Sequence, residues 1–345
     1  MSETVRRFLH LLMLWGRSVS GRGAALSVVV NPADGDAHRF HRTPYDPPLR
    51  LRPVRQNYTE LVESVATSFV DALPSGGSFD LRPGLANPLA VTVAGRILGI
   101  SFGDIRRIGE IYDAFASSMV DYADPDPEAT TAPARDEFDA LVARSIERIR
   151  SAPDASLIST VVSAEQPLHS DDELIANIRV LLFGAVETVT SSILNTVWSL
   201  LTHPAQLAEA LADPSLFAGA VDEALRLISP VGFSERWAAV DTELAGVEIL
   251  RGEMMIPSIA SANRDPELFP DPDAFDIHRP NARHHMAFSR GEHHCIGFNV
   301  ANLEARIAVE RLFARFPDLR LDHDRPSAPS GFGFRSLRTL HVVAA

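Results

Sequence analysis

The stretch "MAFSRGEHHCIGFNVANLEARIAVERL", Met286 to Leu312, holds the only cysteine of a 345-residue chain, Cys295. His293 and His294 stand immediately before that thiol, and a helix-like run follows it. Apolar residues in the run recur at three- and four-residue spacing, which predicts a helix from about Gly297 to Phe316. The first N–H groups of a helix lack acceptors and carry partial positive charge, so a cysteine just ahead of them is placed to stay a thiolate. Gly291 and Gly297 permit a tight turn with the backbone close to the sulfur. N–H donors aimed at a thiolate tune a metal–sulfur bond. A lone cysteine is otherwise a small buried hydrophobe.

Three chemistries fit a thiol in this setting. A zinc site would draw on His284, His285, His293, His294 and Cys295, but adjacent histidines point apart and no second Cys-x-x-Cys arm exists. A Cys/His nucleophile is open in principle, although no catalytic-cysteine signature surrounds the thiol. The third is axial ligation of haem iron by the thiolate.

Composition narrows the class. A chain with 46% hydrophobic and 22% charged residues is that of a folded soluble protein. A net charge of -13 argues against nucleic acid as a partner, because a phosphate-binding surface needs a basic excess. One cysteine excludes an intramolecular disulfide, so nothing calls for an oxidising compartment. "RRFLHLLMLWG" (Arg6 to Gly16) has the outline of a signal peptide, yet His10 interrupts it and no small-residue cleavage site follows. It is also too short to span a bilayer. The expectation is an amphipathic surface helix on a cytoplasmic protein without a membrane span.

Helical periodicity covers most of residues 55–150, in "NYTELVESVATSFVDAL", "PLAVTVAGRILGI", "FGDIRRIGEIYDAFASSMVDYA" and "RDEFDALVARSIERIRSA". A long helix is predicted from about Ser170 to His203 and another from about Pro214 to Ile228, ended by Pro230. "ELAGVEIL" reads as a hairpin, a Pro/Asp-rich meander follows, and "FRSLRTLHVV" closes the chain as short strands. The sum is mainly α with small β-sheets, one domain over 1–345.

"FSRGEHHCIG" resembles the haem-binding signature of the cytochrome P450 family, with Phe288, Gly291, His293, Cys295 and Gly297 in their places and Ser289 where glycine often stands. Four further blocks match in the same order. "EALR" supplies Glu223 and Arg226, three apart on one helix face, and the resemblance pairs them with Arg279 of "FDIHRP" as a structural ion cluster. "LLFGAVETVTSS" is similar to the family's oxygen-binding groove, with Ala185 in place of a glycine. There Glu187 and Thr188 take the acid and hydroxyl positions of a proton relay, and Thr188 can bond back to the Gly184 carbonyl and bend the helix. "DGDAHRFHR" places His38 and Arg42 as partners of the haem propionates, Arg236 of "SERWA" as a third and His293 as a fourth, arginine being suited to paired carboxylate contacts.

The resemblance implies heme b ligated by Cys295, a bacterial soluble-type P450 fold, and a haem-thiolate monooxygenase acting with O2 on a small organic molecule. A secondary-metabolite intermediate is the expected substrate class. Electrons would come from a ferredoxin and ferredoxin reductase, since no flavin or nucleotide fingerprint is present. The basic cluster Arg283, His284, His285, Arg290 and His294 is the expected docking patch on an acidic protein, and the expected state is a monomer. The alternatives are a peroxide-driven or oxidative-coupling member, or a haem-binding partner protein without turnover. Only about 35 residues precede the His38 helix, fewer than is usual in the family, so the N-terminal sheet and helix region is expected to be reduced. Phe332 and Phe334 fall where a C-terminal loop would meet substrate, as Gly184 would on the long helix.

Overall fold

The computed structural model describes residues 34–120, 127–163 and 169–344, without the side chains of 113–129. The segment Arg6 to Gly16 and the expected reduction ahead of His38 fall outside these residues. The chain divides into two compact units, 1–65 with 88–186 and 66–87 with 187–345.

The first unit is helical. α1 (Gly35–Arg42), α2 (Leu51–Asn57) and the start of α3 (Thr59–Ala72) precede α4 (Asn87–Leu98), α5 (Phe102–Val120), α6 (Pro127–Ser151) and α7 (Leu157–Val162). α4 presses on α5 closely: a Cβ built at Gly95 would stand 2.8 Å from Ile105. Gly99 ends α4 at φ +95, and a Cβ there would meet the Ser156 hydroxyl at 2.3 Å. Only glycine satisfies both demands. α6 begins eight residues before Arg135, where the periodic pattern starts, and carries Pro133 inside it. α7 is a short helix that periodicity misses, set by Ser156, whose hydroxyl accepts from the Ser159 N–H.

α8 (Asp171–Thr202) starts in the first unit and ends in the second. It is long and apolar enough to cross a membrane, but 61% of its most apolar window is buried in the protein. That burial is what a core helix requires. It stays α-helical through Gly184 and Thr188.

In the second unit, α9 (Pro204–Ala212) and α10 (Phe217–Leu227) lead into short strands and the meander. α10 lies against the meander so closely that a Cβ at Gly219 would meet the Ile277 carbonyl oxygen at 2.4 Å. Strands β2 (Arg236–Trp237) and β5 (Met254–Met255) pair antiparallel, as do β3 (Thr242–Leu244) and β4 (Val247–Ile249). The β3–β4 turn places Ala245 at φ 52 and Gly246 at φ 81, as a two-residue hairpin demands. After α11 (Ile259–Ala262) and the cysteine loop comes α12 (Phe298–Arg315). The Phe313 ring on α12 stacks on Phe217 of α10, with centroids 5.9 Å apart.

A three-stranded sheet, in the order β1 (Gly77–Asp80), β7 (His341–Ala344), β6 (Arg320–Leu321), joins the start of this unit to its end. Of the short strands expected in "FRSLRTLHVV", β7 forms at the end of the run. Residues 330–336 instead fold as a loop on the segment after α10, where the Gly232 N–H donates to Gly333 O at 2.8 Å and the Arg335 N–H to Pro230 O at 2.8 Å.

Candidate functional site

The cysteine loop is a set of tight turns. The Ser289 N–H donates to Met286 O at 2.8 Å, the His294 N–H to Gly291 O at 3.0 Å, and the Cys295 N–H back to Phe288 O at 2.9 Å. Gly291 takes φ +78 and Ser289 φ 59, so the loop passes twice through the left-handed region. Glycine enters that region freely, whereas serine does so at a cost of about 1 kcal/mol. Gly297 has φ −88 and needs no such freedom. It caps α12, whose N-terminal, positive end begins at Phe298, three residues past the thiol.

Behind the loop stands the ion cluster. Arg226 donates to both carboxylate oxygens of Glu223, at 2.7 and 2.8 Å, with both side chains wholly buried. Arg279 adds a bond to Glu223 at 2.9 Å, and the Asp276 N–H another at 3.1 Å. The remaining N–H groups of Arg226 reach the carbonyls of Asn263, Pro272 and Ala274, and those of Arg279 reach Pro270, Asp271 and Ala274. A buried ion pair with its hydrogen-bonding groups so fully used holds the segments that it touches in place. One of these leads to the cysteine loop. Asn263 accepts from the Met286 N–H at 2.6 Å and donates to Ser229 at 2.7 Å. Sequence reasoning missed Asn263, an unremarkable amide in the run "SANRD", because nothing local distinguishes it.

His285 corrects the expected basic patch. It is buried, its ring accepts the Ala287 N–H at 3.2 Å, and burial, with Arg290 adding, pushes its imidazole down to about 4. It is a neutral part of the loop wall at pH 7. Arg283, His284 and Arg290 remain exposed, Arg283 paired with Asp222 at 2.9 Å, and His294 packs edge-on against Phe298.

On α8, Leu181, Phe183, Ala185, Glu187 and Thr188 are half-buried and Gly184 exposed, whereas Val189 to Val197 are all buried. The Thr188 carbonyl accepts the Ser192 hydroxyl at 2.8 Å. Glu187 pairs with Arg82, Oε2 to Nη2, at 2.7 Å. Arg82 lies 105 positions away along the chain, and no motif announced it.

The other candidates are distributed between the units. His38 is buried on α1 and Arg42 ends that helix, its Nε 3.6 Å from Asp46. Arg236 is exposed on β2 and donates to Ser234 and to the Glu235 carbonyl. His293 sits half-buried in the loop. Phe332 is 69% exposed with its ring 4.9 Å from Phe233, and Phe334 bridges to Val231. Among the described residues no three His, Cys, Asp or Glu side chains gather as metal ligands.

These features fit a haem bound through Cys295. A Cβ built at Gly291 or Gly297 meets no atom within 4 Å, so backbone beside the thiol faces space that a flat group can approach. Seven successive residues, His293 to Asn299, are only half-buried, Cys295 among them. A soft thiolate donor is the one such ligand in the chain, and Arg236 offers a guanidinium for a carboxylate.

Comparison with known proteins agrees with the fold. A family model described as cytochrome P450 matches residues 209–336. Over 293 residues the chain is 34% identical to 6-deoxyerythronolide B hydroxylase of Saccharopolyspora erythraea, covering 81% of this chain and 71% of that protein. It is 37% identical to cytochrome P450 107B1 of the same organism over 263 residues, 75% of this chain. The chain spans 63% of the length of that relative. The crystal structure of CalO2 superposes with a TM-score of 0.86 at 27% identity, covering 97% of this chain and 85% of that one. The chain belongs to the cytochrome P450 family.

Proposed function

We propose that the protein is a haem-thiolate monooxygenase, in which Cys295 would ligate the iron of heme b. Its substrate would be a small organic molecule, a secondary-metabolite intermediate, oxidised with O2. A ferredoxin and its reductase would supply electrons to a soluble cytoplasmic monomer of one functional domain. The name of the hydroxylase relative supports the reaction class. The haem supplies O2 activation, and the protein supplies the ligand, protons and shape.

The observation that carries this reading is the geometry around Cys295. The thiol sits on a loop closed by its own N–H, ahead of the positive end of α12, and is tied through Asn263 to the buried Glu223–Arg226 pair. A helix N-terminus favours the thiolate. The buried pair keeps the loop from following the sulfur when a ligand pulls on it. Phe288 packs on His285 and Phe298, which joins the cysteine loop to the first turn of α12. Glu187 and Thr188 would hold and pass protons on α8, beside the exposed Gly184. His38, Arg42, Arg236 and His293 would bind the propionates, and Phe332 and Phe334 would touch substrate.

The test is the reduced carbon-monoxide difference spectrum of the haem-loaded chain and of Cys295→Ser. The parent is expected to give the strongly red-shifted thiolate band, and the variant to lose it while its far-ultraviolet circular dichroism is unchanged. A red-shifted band retained in Cys295→Ser removes Cys295 as the ligand.

A further inference from the structure

The acid position on α8 has a partner of its own. Arg82 follows β1 and opens the irregular helical turn Arg82–Ala86. Its backbone N–H donates to Asp80 at 3.0 Å, and the same Asp80 oxygen accepts the Leu340 N–H at 2.9 Å, so its main chain is held on the β1–β7 sheet. One guanidinium nitrogen meets Glu187 at 2.7 Å. The other reaches the Leu337 carbonyl at 3.3 Å and the Ser336 hydroxyl at 3.4 Å. Both side chains are mostly shielded, 22% exposed for Arg82 and 15% for Glu187.

Ser336 and Leu337 end the loop that carries Phe332 and Phe334, pinned by the Ser330–Ser336 bridge. Asn195, two turns along α8 from Glu187, donates to the Arg335 carbonyl at 3.3 Å. The loop is thus joined to α8 directly at Asn195 and through Arg82 at Glu187. Among the described residues the second oxygen of Glu187 meets only the Ser191 hydroxyl, at 3.5 Å, the outer limit of a hydrogen bond. Arg82 is therefore the strong determinant of where this carboxylate points.

We infer that Arg82 is a positioning residue for Glu187, fixing the direction of its carboxylate and linking it to the loop that carries Phe332 and Phe334. The inference rests on the reading of Glu187 as a proton-handling group. Arginine suits this work because its planar fork holds its donors in a fixed geometry, whereas the lysine ammonium is a compact point charge on a flexible stem. A substrate that moves the 330–337 loop would then be sensed at Glu187 by way of one side chain.

The experiment uses the full chain, with Arg82→Met, Arg82→Gln and Arg82→Lys, each with and without Glu187→Gln. The carboxylate stretching bands of Glu187 are read by infrared difference between each Glu187 protein and its Glu187→Gln counterpart, in the haem-free state. A carboxylate held by a guanidinium has one fixed hydrogen-bonded geometry and gives narrow, shifted bands, so Arg82→Met is expected to broaden and move them. Arg82→Lys should restore the charge without the fixed fork and the contact to Leu337, and so only part of the band shift. If Arg82→Met does not fold, Arg82→Gln, which keeps an N–H donor but no charge, gives the same reading. Bands unmoved in these variants overturn the inference. In the loaded enzyme, peroxide released per electron consumed should change its pH profile in parallel. If the bands move and that profile does not, Arg82 still positions Glu187, and it is the proton-handling reading that fails.

Discussion

Glu223 and Glu187 each meet a guanidinium at 2.7 Å, and the two pairs differ in nearly every other respect. Glu223 is wholly buried, bonded to two arginines and to the Asp276 N–H. Glu187 is 15% exposed, bonded strongly to Arg82 alone, and stands beside Thr188 on a helix face left partly open. A carboxylate with its acceptor sites filled and no path to water is fixed in place. One with a weakly bonded oxygen close to open space is left accessible. The same residue type thus serves as a clamp in one place and as a candidate for chemistry in the other, and the surroundings decide which.

The strongest challenge to that contrast is to remove the arginine from each pair. Arg226→Met takes from buried Glu223 one of its two arginines and strands the carbonyls of Asn263 and Pro272, and is expected to cost about 3 kcal/mol or to prevent folding. Arg82→Met, with solvent able to reach its partner, should cost about 1 kcal/mol. Chemical denaturation of both variants measures this, and comparable losses would erase the distinction between clamp and working pair.

His285 sharpens the same comparison, because the loop wall tolerates no charge where the clamp requires one. Its folded value of about 4 lies below the usual histidine value near 6.5, so the unfolded chain takes up the proton first as pH falls. The stability due to neutral His285 is complete above about pH 6.5 and declines towards pH 4, by on the order of 3 kcal/mol. Denaturation across that range should show a shallower decline in His285→Gln than in the parent. Identical slopes would mean that His285 charges freely in the folded protein.

The smallest effect expected is a gain. Ser289 holds φ 59 in the cysteine loop, and Ser289→Gly should raise stability by about 0.5–1 kcal/mol by relieving that conformation. A lower melting temperature in the variant would show that the serine side chain contributes more than its backbone costs.

The helices were legible because each repeats a local period. α8 and α12 begin and end within two residues of their expected bounds, and the turn residues Ala245 and Gly246 fall inside the hairpin read from "ELAGVEIL". β1 was not legible. Its four residues, Gly77–Asp80, show no alternation that sets a strand apart, and they are a strand only because β7 lies alongside. Of the short strands expected in "FRSLRTLHVV" only the end forms one, for the complementary reason: around its start, Gly333 and Arg335 spend backbone bonds on Gly232 and Pro230.

The candidate site divides in the same way. Cys295, the Glu-x-x-Arg pair and the Glu187–Thr188 step are marked in the sequence, since each depends on a fixed spacing within a single turn or loop. Sequence alone therefore determined the family, the thiol, and the helix that follows it. Tertiary structure decided which groups hold these residues. Asn263 ties the ion cluster to Met286, burial keeps His285 neutral, and Arg82 meets Glu187 across 105 positions. The physical reason is range: periodicity and capping act over a few residues, whereas a guanidinium finds its carboxylate only after the chain has brought distant segments together.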